Sequence, residues 1–393
     1  MNHMGMKNQT PLLPEEITRN ILERLPVKSL IRFQCVCKHW KNLIKSRSFV
    51  ADHLHYSTHQ NLSLLLEENN LRLCLLDCEL QHRIVQSALP IKSFQGARIV
   101  GSCNGLLCVE MGRDDKFPPS LLLWNPAHRA YRYVPRRTYA DSDDCVVGFG
   151  FSPVVNDYKI VRAYSESYDD VVNRVEVFSL NRGSWKGIDI GNLEGVKLCH
   201  ESVATNGAIS WSGSKLGAKE EGEDDSEEDD YKDDDDDDME EAEDETEVIV
   251  SFDIAREIFI LMPRPDLDYD AIEKLAVYEN KLAMLCYIWD EDDERSDTID
   301  LWVMEKGTEE RWNWIKIYSS NPCSYTLEPM TIWRNHVVCK ASSEEDKDKG
   351  RDALYLLNLT TNEAKTFDIP KCCYSVHSMC NYVESLVSLG TYR

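Results

Sequence analysis

The chain has 393 residues, 42% of them hydrophobic and 29% charged, with a formal net charge of −25. That length suits a short module joined to a large one, and the apolar share is enough for a sizeable packed core. The acidity argues against the basic footprint of general nucleic-acid binding, and no run of about 18 apolar residues offers a membrane span.

The acidity is local. Between Glu220 and Glu247 there are 21 acidic residues and one basic residue, Lys232, which leaves a charge near −5 for everything else. The 14 cysteines include Cys35-x-Cys37, Cys74, Cys78 and the pair Cys372-Cys373, spacings that fit no zinc signature. The first residues, MNHMGMKNQT, carry no apolar stretch of the signal-peptide kind. A reducing compartment, cytosol or nucleus, with cysteines acting as small buried hydrophobes, is the expectation.

Residues 11–47 predict three short helices. Pro14 suits a first turn, and Glu15 and Glu16 suit its positive dipole end. Ile17, Ile21, Leu22 and Leu25 then share one face, and Pro26 ends the helix. Ser29 is a weak N-cap candidate for a second helix carrying Leu30 and Phe33. Val36, Trp40, Leu43 and Ile44 form the apolar stripe of a third. A piece this small cannot cover its own apolar side chains, so a partner helix or a neighbouring domain is required. His53, His55 and His59 follow without ligand-spaced partners and read as a solvated loop.

The string LPEEITRNILERLPVKSLIRFQCVCKHWKNLI closely resembles the F-box, which docks on the Skp-type adaptor of Skp–cullin–F-box ubiquitin ligases. The resemblance implies that Leu13, Pro14, Ile17, Ile21, Leu25, Pro26, Leu30, Val36, Cys37 and Trp40 line the adaptor interface or support it, with cullin and a RING protein reached through the adaptor. Residues 11–47 hold eight Lys/Arg against three Asp/Glu, which an acidic adaptor surface would attract. A small helical bundle packed on the following domain is the plainer alternative.

After residue 60, β-branched and aromatic residues alternate in short runs broken by Gly, Pro, Asn and Asp. One unit recurs: a strand, a polar turn and a second strand that often ends in proline. Its copies align on Leu76, Trp124, Phe178, Phe252, Trp302 and Leu357, at intervals of 48, 54, 74, 50 and 55 residues. Removing the 28-residue acidic run brings the long interval to 46. A period near 50 matches four-stranded propeller blades. Six copies predict six blades, with N- and C-terminal strands sharing one blade and YSVHSMCNYVESLVSL supplying a closing pair of strands.

The strings GSCNGLLCV (101–109), LLLWNP (121–126) and GFGFSPVVNDYKIVR (148–162) resemble the F-box-associated interaction domain of plant F-box proteins, whose relatives include S-locus F-box proteins. Together the two resemblances cover nearly the whole chain. They imply an α+β multidomain protein: a small all-α F-box (11–50), then a mainly antiparallel all-β propeller (60–393), kelch-like in architecture only because the kelch double glycine is absent. Trp124, Trp302, Trp312 and Trp333 read as blade core rather than a ligand cage. Asn104, Gly105, Gly148 and Gly150 read as turn positions that need unusual φ.

Residues 217–247 form an acidic insertion expected to be disordered. ESVATNGAISWSG upstream reads as the first two strands of a blade and VIVSFDIAREIFILMP downstream as the last two. The run would then sit in the loop between strands two and three, where it either steers a basic target towards the propeller or is a tolerated surface insertion.

No nucleophile elbow, metal-binding histidine pair or phosphate loop occurs, so no catalytic residue, cofactor or metal is assigned. The expectation is the substrate-recognition subunit of a Skp–cullin–F-box ligase, binding the adaptor through the F-box and a target protein through the propeller. An F-box scaffold acting outside a ligase is the alternative.

Overall fold

The computed structural model describes residues 13–68, 72–77, 79–85, 97–111, 120–135, 144–165, 170–205, 207–217, 245–267, 271–288, 298–306, 312–321, 326–342, 353–368 and 376–390. It divides into two compact units. One comprises Met1–Arg136, Asp290–Asp297 and Ser320–Arg393; the other comprises Arg137–Trp289 and Thr298–Ser319.

Four helices open the first unit, one more than the hydrophobic pattern predicts. They are α1 (Glu15–Glu23), α2 (Val27–Phe33), α3 (Lys38–Lys45) and α4 (Arg47–Gln60). Pro14 and Pro26 stand in extended conformation as N-caps of α1 and α2. The Pro26 carbonyl accepts from the amides of Ser29 and Leu30 at 2.9 and 3.1 Å. Ser29 therefore lies inside α2 and is not its cap, because proline already sets the φ at which the helix starts. Cys37 caps α3 through Sγ, which accepts from Trp40 N at 3.4 Å. Ser46 caps α4 in the same way from Phe49 N at 3.3 Å. The expected histidine loop is thus helix α4, and His53 on it is buried.

The first unit also holds three four-stranded antiparallel sheets. The first is β1 (Ser63–Glu68), β2 (Arg72–Leu76) and β3 (His82–Val85), joined by β24 (Val376–Tyr382) beside β1. The second is β4 (Arg98–Cys103), β5 (Leu106–Met111), β6 (Ser120–Asn125) and β7 (Ala130–Tyr133). The sixth, in chain order, is β20 (Thr326–Trp333), β21 (His336–Ser342), β22 (Ala353–Asn358) and β23 (Ala364–Asp368). The second unit holds the other three. They are β8 (Asp144–Ser152), β9 (Asp157–Ser165), β10 (Val172–Ser179) and β11 (Ser184–Ile188); then β12 (Val196–Thr205), β13 (Ala208–Leu216), β14 (Glu245–Asp253) and β15 (Ile258–Pro263); then β16 (Ala271–Tyr278), β17 (Lys281–Ile288), β18 (Ile299–Lys306) and β19 (Trp312–Ser319).

The apolar runs follow from burial on both faces. On β1, Leu64 and Leu66 pack with Met330, Val338 and Leu354 of the sixth sheet, while Leu65 packs with Leu107, Val109 and Trp124 of the second. A strand covered on both sides needs no polar alternation, and each fully buried leucine contributes about 2 kcal/mol of transfer free energy. In the second unit, Trp211 and Phe252 centre one core, and Met284 and Met304 belong to another.

The N- and C-terminal strands share one sheet, as the repeats predict: Leu65 pairs with Cys380 and Leu66 with Met379. The expected second closing strand does not form. Residues 383–390 carry no strand; Val383, Ser385, Leu386 and Leu389 are nevertheless buried. Asn104 and Gly105 have φ of 50 and 77° and close the β4–β5 hairpin, the two-residue turn read from the sequence. Gly148 and Gly150 need correction: both are strand residues of β8 with ordinary φ. Their requirement is space, since a Cβ on Gly148 would meet Trp211 Cζ2 at 2.3 Å and one on Gly150 would meet Ile209 and Ile254 at 2.9 Å.

Candidate protein-docking surface

The helices cover one face themselves. Leu22, Val27, Leu30, Ile44 and Phe49 are buried together with Leu386, and Leu25, Phe33, Trp40, Leu43 and Ala127 pack around them. The rings of Phe33 and Trp40 lie 5.5 Å apart. Arg19 ties α1 to α4: it bonds Glu23 at 2.7 Å, pairs with Asp52, and lies 5.7 Å over the Phe49 ring.

A second apolar face is left open. Leu13, Ile17 and Ile21, four residues apart, are 60, 48 and 48% exposed, and Val36 is 62% exposed. Pro14, Pro26 and Cys37 are exposed as well, and Leu25 and Trp40 are half-buried. Leu30 is fully buried; of the ten residues singled out from sequence it belongs to the support beneath the surface. His39 Nε2 lies 3.7 Å from Glu15 Oε1, which brings the starts of α3 and α1 together. Val36 and Cys37, just before α3, and Leu13 and Pro14, just before α1, therefore gather at one end of the helical group. Lys28, Arg32, Lys38, Lys41, Lys45 and Arg47 are exposed on α2, α3 and α4. The surface is an uncovered aliphatic stripe on a helical group that also exposes six lysines and arginines, chemistry suited to an apolar segment of an acidic protein.

Residues 11–52 match the F-box domain family, and residues 64–389 match the F-box associated beta propeller domain family. The chain belongs to the F-box associated beta propeller family. Its six sheets are the blades of that propeller, preceded by the four F-box-region helices. F-box/kelch-repeat protein At3g23880 of Arabidopsis thaliana is 25% identical over 355 residues, 83% of this chain and 84% of that one. Putative F-box protein At3g17490 of the same plant is 24% identical over 96% of this chain and 95% of its own. Putative F-box protein At3g16210, also of Arabidopsis thaliana, is 34% identical over 44% of this chain and 46% of its own.

Away from the F-box, the acidic run falls between the second and third strands of the fourth blade, β13 and β14. Glu245 and Glu247 lie on β14 and pair with Leu216 and Ser214 of β13; residues 218–244 lie outside the described residues. Among the described residues no helix is long and apolar enough to cross a membrane, and no His, Cys, Asp and Glu side chains gather in threes that could hold a metal.

Sequence reasoning missed α4. Its signal was Ser46 as a cap, followed by Phe49, His53 and Ser57 at helical spacing, all three buried. It also missed Leu386 in the tail, which completes the F-box core.

Proposed function

We propose that the chain is the substrate-recognition subunit of a Skp–cullin–F-box ubiquitin-protein ligase. The F-box receives the Skp-type adaptor, and through it the cullin and RING protein; the propeller holds the target. The observation that carries this reading is the open stripe of Leu13, Ile17, Ile21 and Val36 above a core that does not need those side chains. Apolar side chains held in register at a surface are a standing demand for a partner. The chain itself would do no chemistry. It would hold a target lysine near the ubiquitin thioester carried by its partners, in the cytosol or nucleus, and so raise effective concentration. The acidic run between β13 and β14 favours a target with a basic surface.

The test is co-purification of the full chain with adaptor and cullin, comparing wild type with Ile17→Asp combined with Ile21→Asp. Both side chains are about half exposed, so the variant should keep its melting temperature and its target while losing adaptor and cullin, and the target should accumulate. Retention of the adaptor by the folded variant would overturn the assignment. Adaptor without cullin in the wild-type complex would mark a scaffold acting outside a ligase.

A further inference from the structure

The helices leave α4 at Gln60 and the first blade begins at Ser63, so the covalent link is two residues, Asn61 and Leu62. The sixth blade holds that link. Arg334 donates to the carbonyls of Gln60 and Leu62 at 2.9 and 3.3 Å, and Trp333 Nε1 donates to Leu62 O at 3.2 Å. One short link, even when pinned, leaves a pivot. Small modules joined to a large domain are expected to move unless a second apolar contact holds them.

That second contact is supplied by the tail after β24. Leu386 is 5% exposed and belongs to the same core as Leu22, Val27, Leu30, Ile44 and Phe49. On either side of it the tail is bound to the second blade. Asn125 Nδ2, fully buried at the end of β6, donates to Ser385 O at 3.1 Å and Val387 O at 2.8 Å. Arg132 on β7 donates to Leu389 O at 3.2 Å. The fit is close at Gly105: a Cβ there would meet Ser385 Cβ at 2.4 Å and Val383 O at 2.5 Å. Ala127, in the turn after Asn125, touches the helical core directly. Residues 383–389 thus lie between F-box and second blade, packed on the first through Leu386 and hydrogen-bonded to the second.

We propose that this tail is a positioning strap. Resting on the ligase reading, its role is to fix the F-box against the second blade, so that adaptor and bound target keep one mutual orientation. Leu386 and Asn125 are the positioning residues. Neither would touch adaptor or target. Transfer to a lysine requires the acceptor at a set place, and a module held only by its pinned link and the contact of Ala127 would spread it over many.

The experiment uses the full chain bound to the Skp-type adaptor, with genetically encoded fluorophore handles at the exposed residues Ala51 on α4 and Lys365 on β23. Single-molecule energy transfer then reads the distance between F-box and sixth blade. Wild type should give one narrow distance. Leu386→Asp, which leaves β24 and the hydrogen-bonded carbonyls in place, should lose it and give a broad distribution while the adaptor stays bound; Leu386→Met should restore it. Truncation after Tyr382 should behave like Leu386→Asp. A narrow distance in both the truncated chain and Leu386→Asp would overturn the strap. If the adaptor binds neither wild type nor variant, the ligase reading fails, and the same measurement on the free chain still decides the strap.

Discussion

The Nε2 atom of His53 on α4 lies 3.0 Å from the carbonyl oxygen of Leu25, just before Pro26. A carbonyl only accepts, so Nε2 carries the proton and donates it. Nδ1 is buried without a hydrogen-bond partner, and a second proton there would have no acceptor. Burial holds the imidazole below its ordinary pKa of 6.5, against the opposing pull of the Leu25 carbonyl, Glu23 and Glu384. Burial does the same for His128, helped by Lys45, and for His336, helped by Lys365 and Arg334.

All three histidines lie in the first unit. A base whose folded pKa is depressed binds more protons when unfolded, so stability is full above pH 6.5 and falls as pH drops through and below it. Melting of the full chain between pH 7.5 and 5.5 should show this loss. His53→Gln, compared with wild type across the same range, should reduce the slope.

Glu257 gives the second unit its own acid sensitivity. It accepts from the buried Lys159 at 2.7 Å and from Lys186 at 2.8 Å. Burial alone would raise its pKa, but the two lysines outweigh this and hold it at about 2. A depressed carboxyl contributes stability that is full above pH 4.5 and is lost as pH falls towards 2. Glu257→Ala should cost about 3 kcal/mol, because it strands a buried ammonium; urea unfolding at pH 7 measures it. The same variant should no longer lose stability between pH 4.5 and 2 to the wild-type extent.

Surface and support in the F-box separate cleanly by mutation. Leu30→Ala removes a fully buried side chain and should cost about 2–5 kcal/mol, seen as early loss of helical signal in thermal melts. Ile21→Ala, at a half-exposed position, should change stability by no more than about 0.5 kcal/mol. It should nevertheless weaken adaptor binding measured by calorimetry.

Gly148→Ala should destabilise the second unit by about 1–3 kcal/mol through overpacking, since the new methyl would press on the Trp211 ring and on Ile209. Pairing it with Trp211→Leu should return part of that loss in a double-mutant cycle. An unchanged melting temperature for Gly148→Ala alone would contradict the packing described for β8.

The repeat was legible in sequence because of a feature beyond the aligned residues. In five blades the aligned apolar residue is followed by a side chain that builds the turn after the third strand. Asp77 accepts from the amides of Glu79 and Gln81, and Asn125 from that of His128. Ser179 accepts from Arg182, Asp253 from Ala255 and Arg256, and Asn358 from Thr360 and Thr361. Local side-chain-to-backbone bonds of this kind leave a residue signature at a fixed offset. In the fifth blade Trp302 is followed by Val303, which offers no such acceptor, and the turn itself (307–311) lies outside the described residues. Its third strand, β18, runs on to Lys306, so Trp302 pairs with Lys316 well before the hairpin and is not the equivalent of the other five. The tail stayed hidden for a different reason: Leu386 is fixed by the helical core, distant in sequence, and no local pattern records such a contact, whereas α4 carried a local signal in its Ser46 cap and the helical spacing of Phe49, His53 and Ser57.

The pairing of β1 with β24 has a consequence for synthesis. The first strand of the propeller to leave the ribosome pairs on one side with β2 at once, but on the other it waits for β24, some 310 residues later. Until then β1 exposes a bare hydrogen-bonding edge rich in leucine, an invitation to wrong partners. A nascent chain that stalls before Val376 would therefore be one that chaperones must shield, although five complete blades had already emerged.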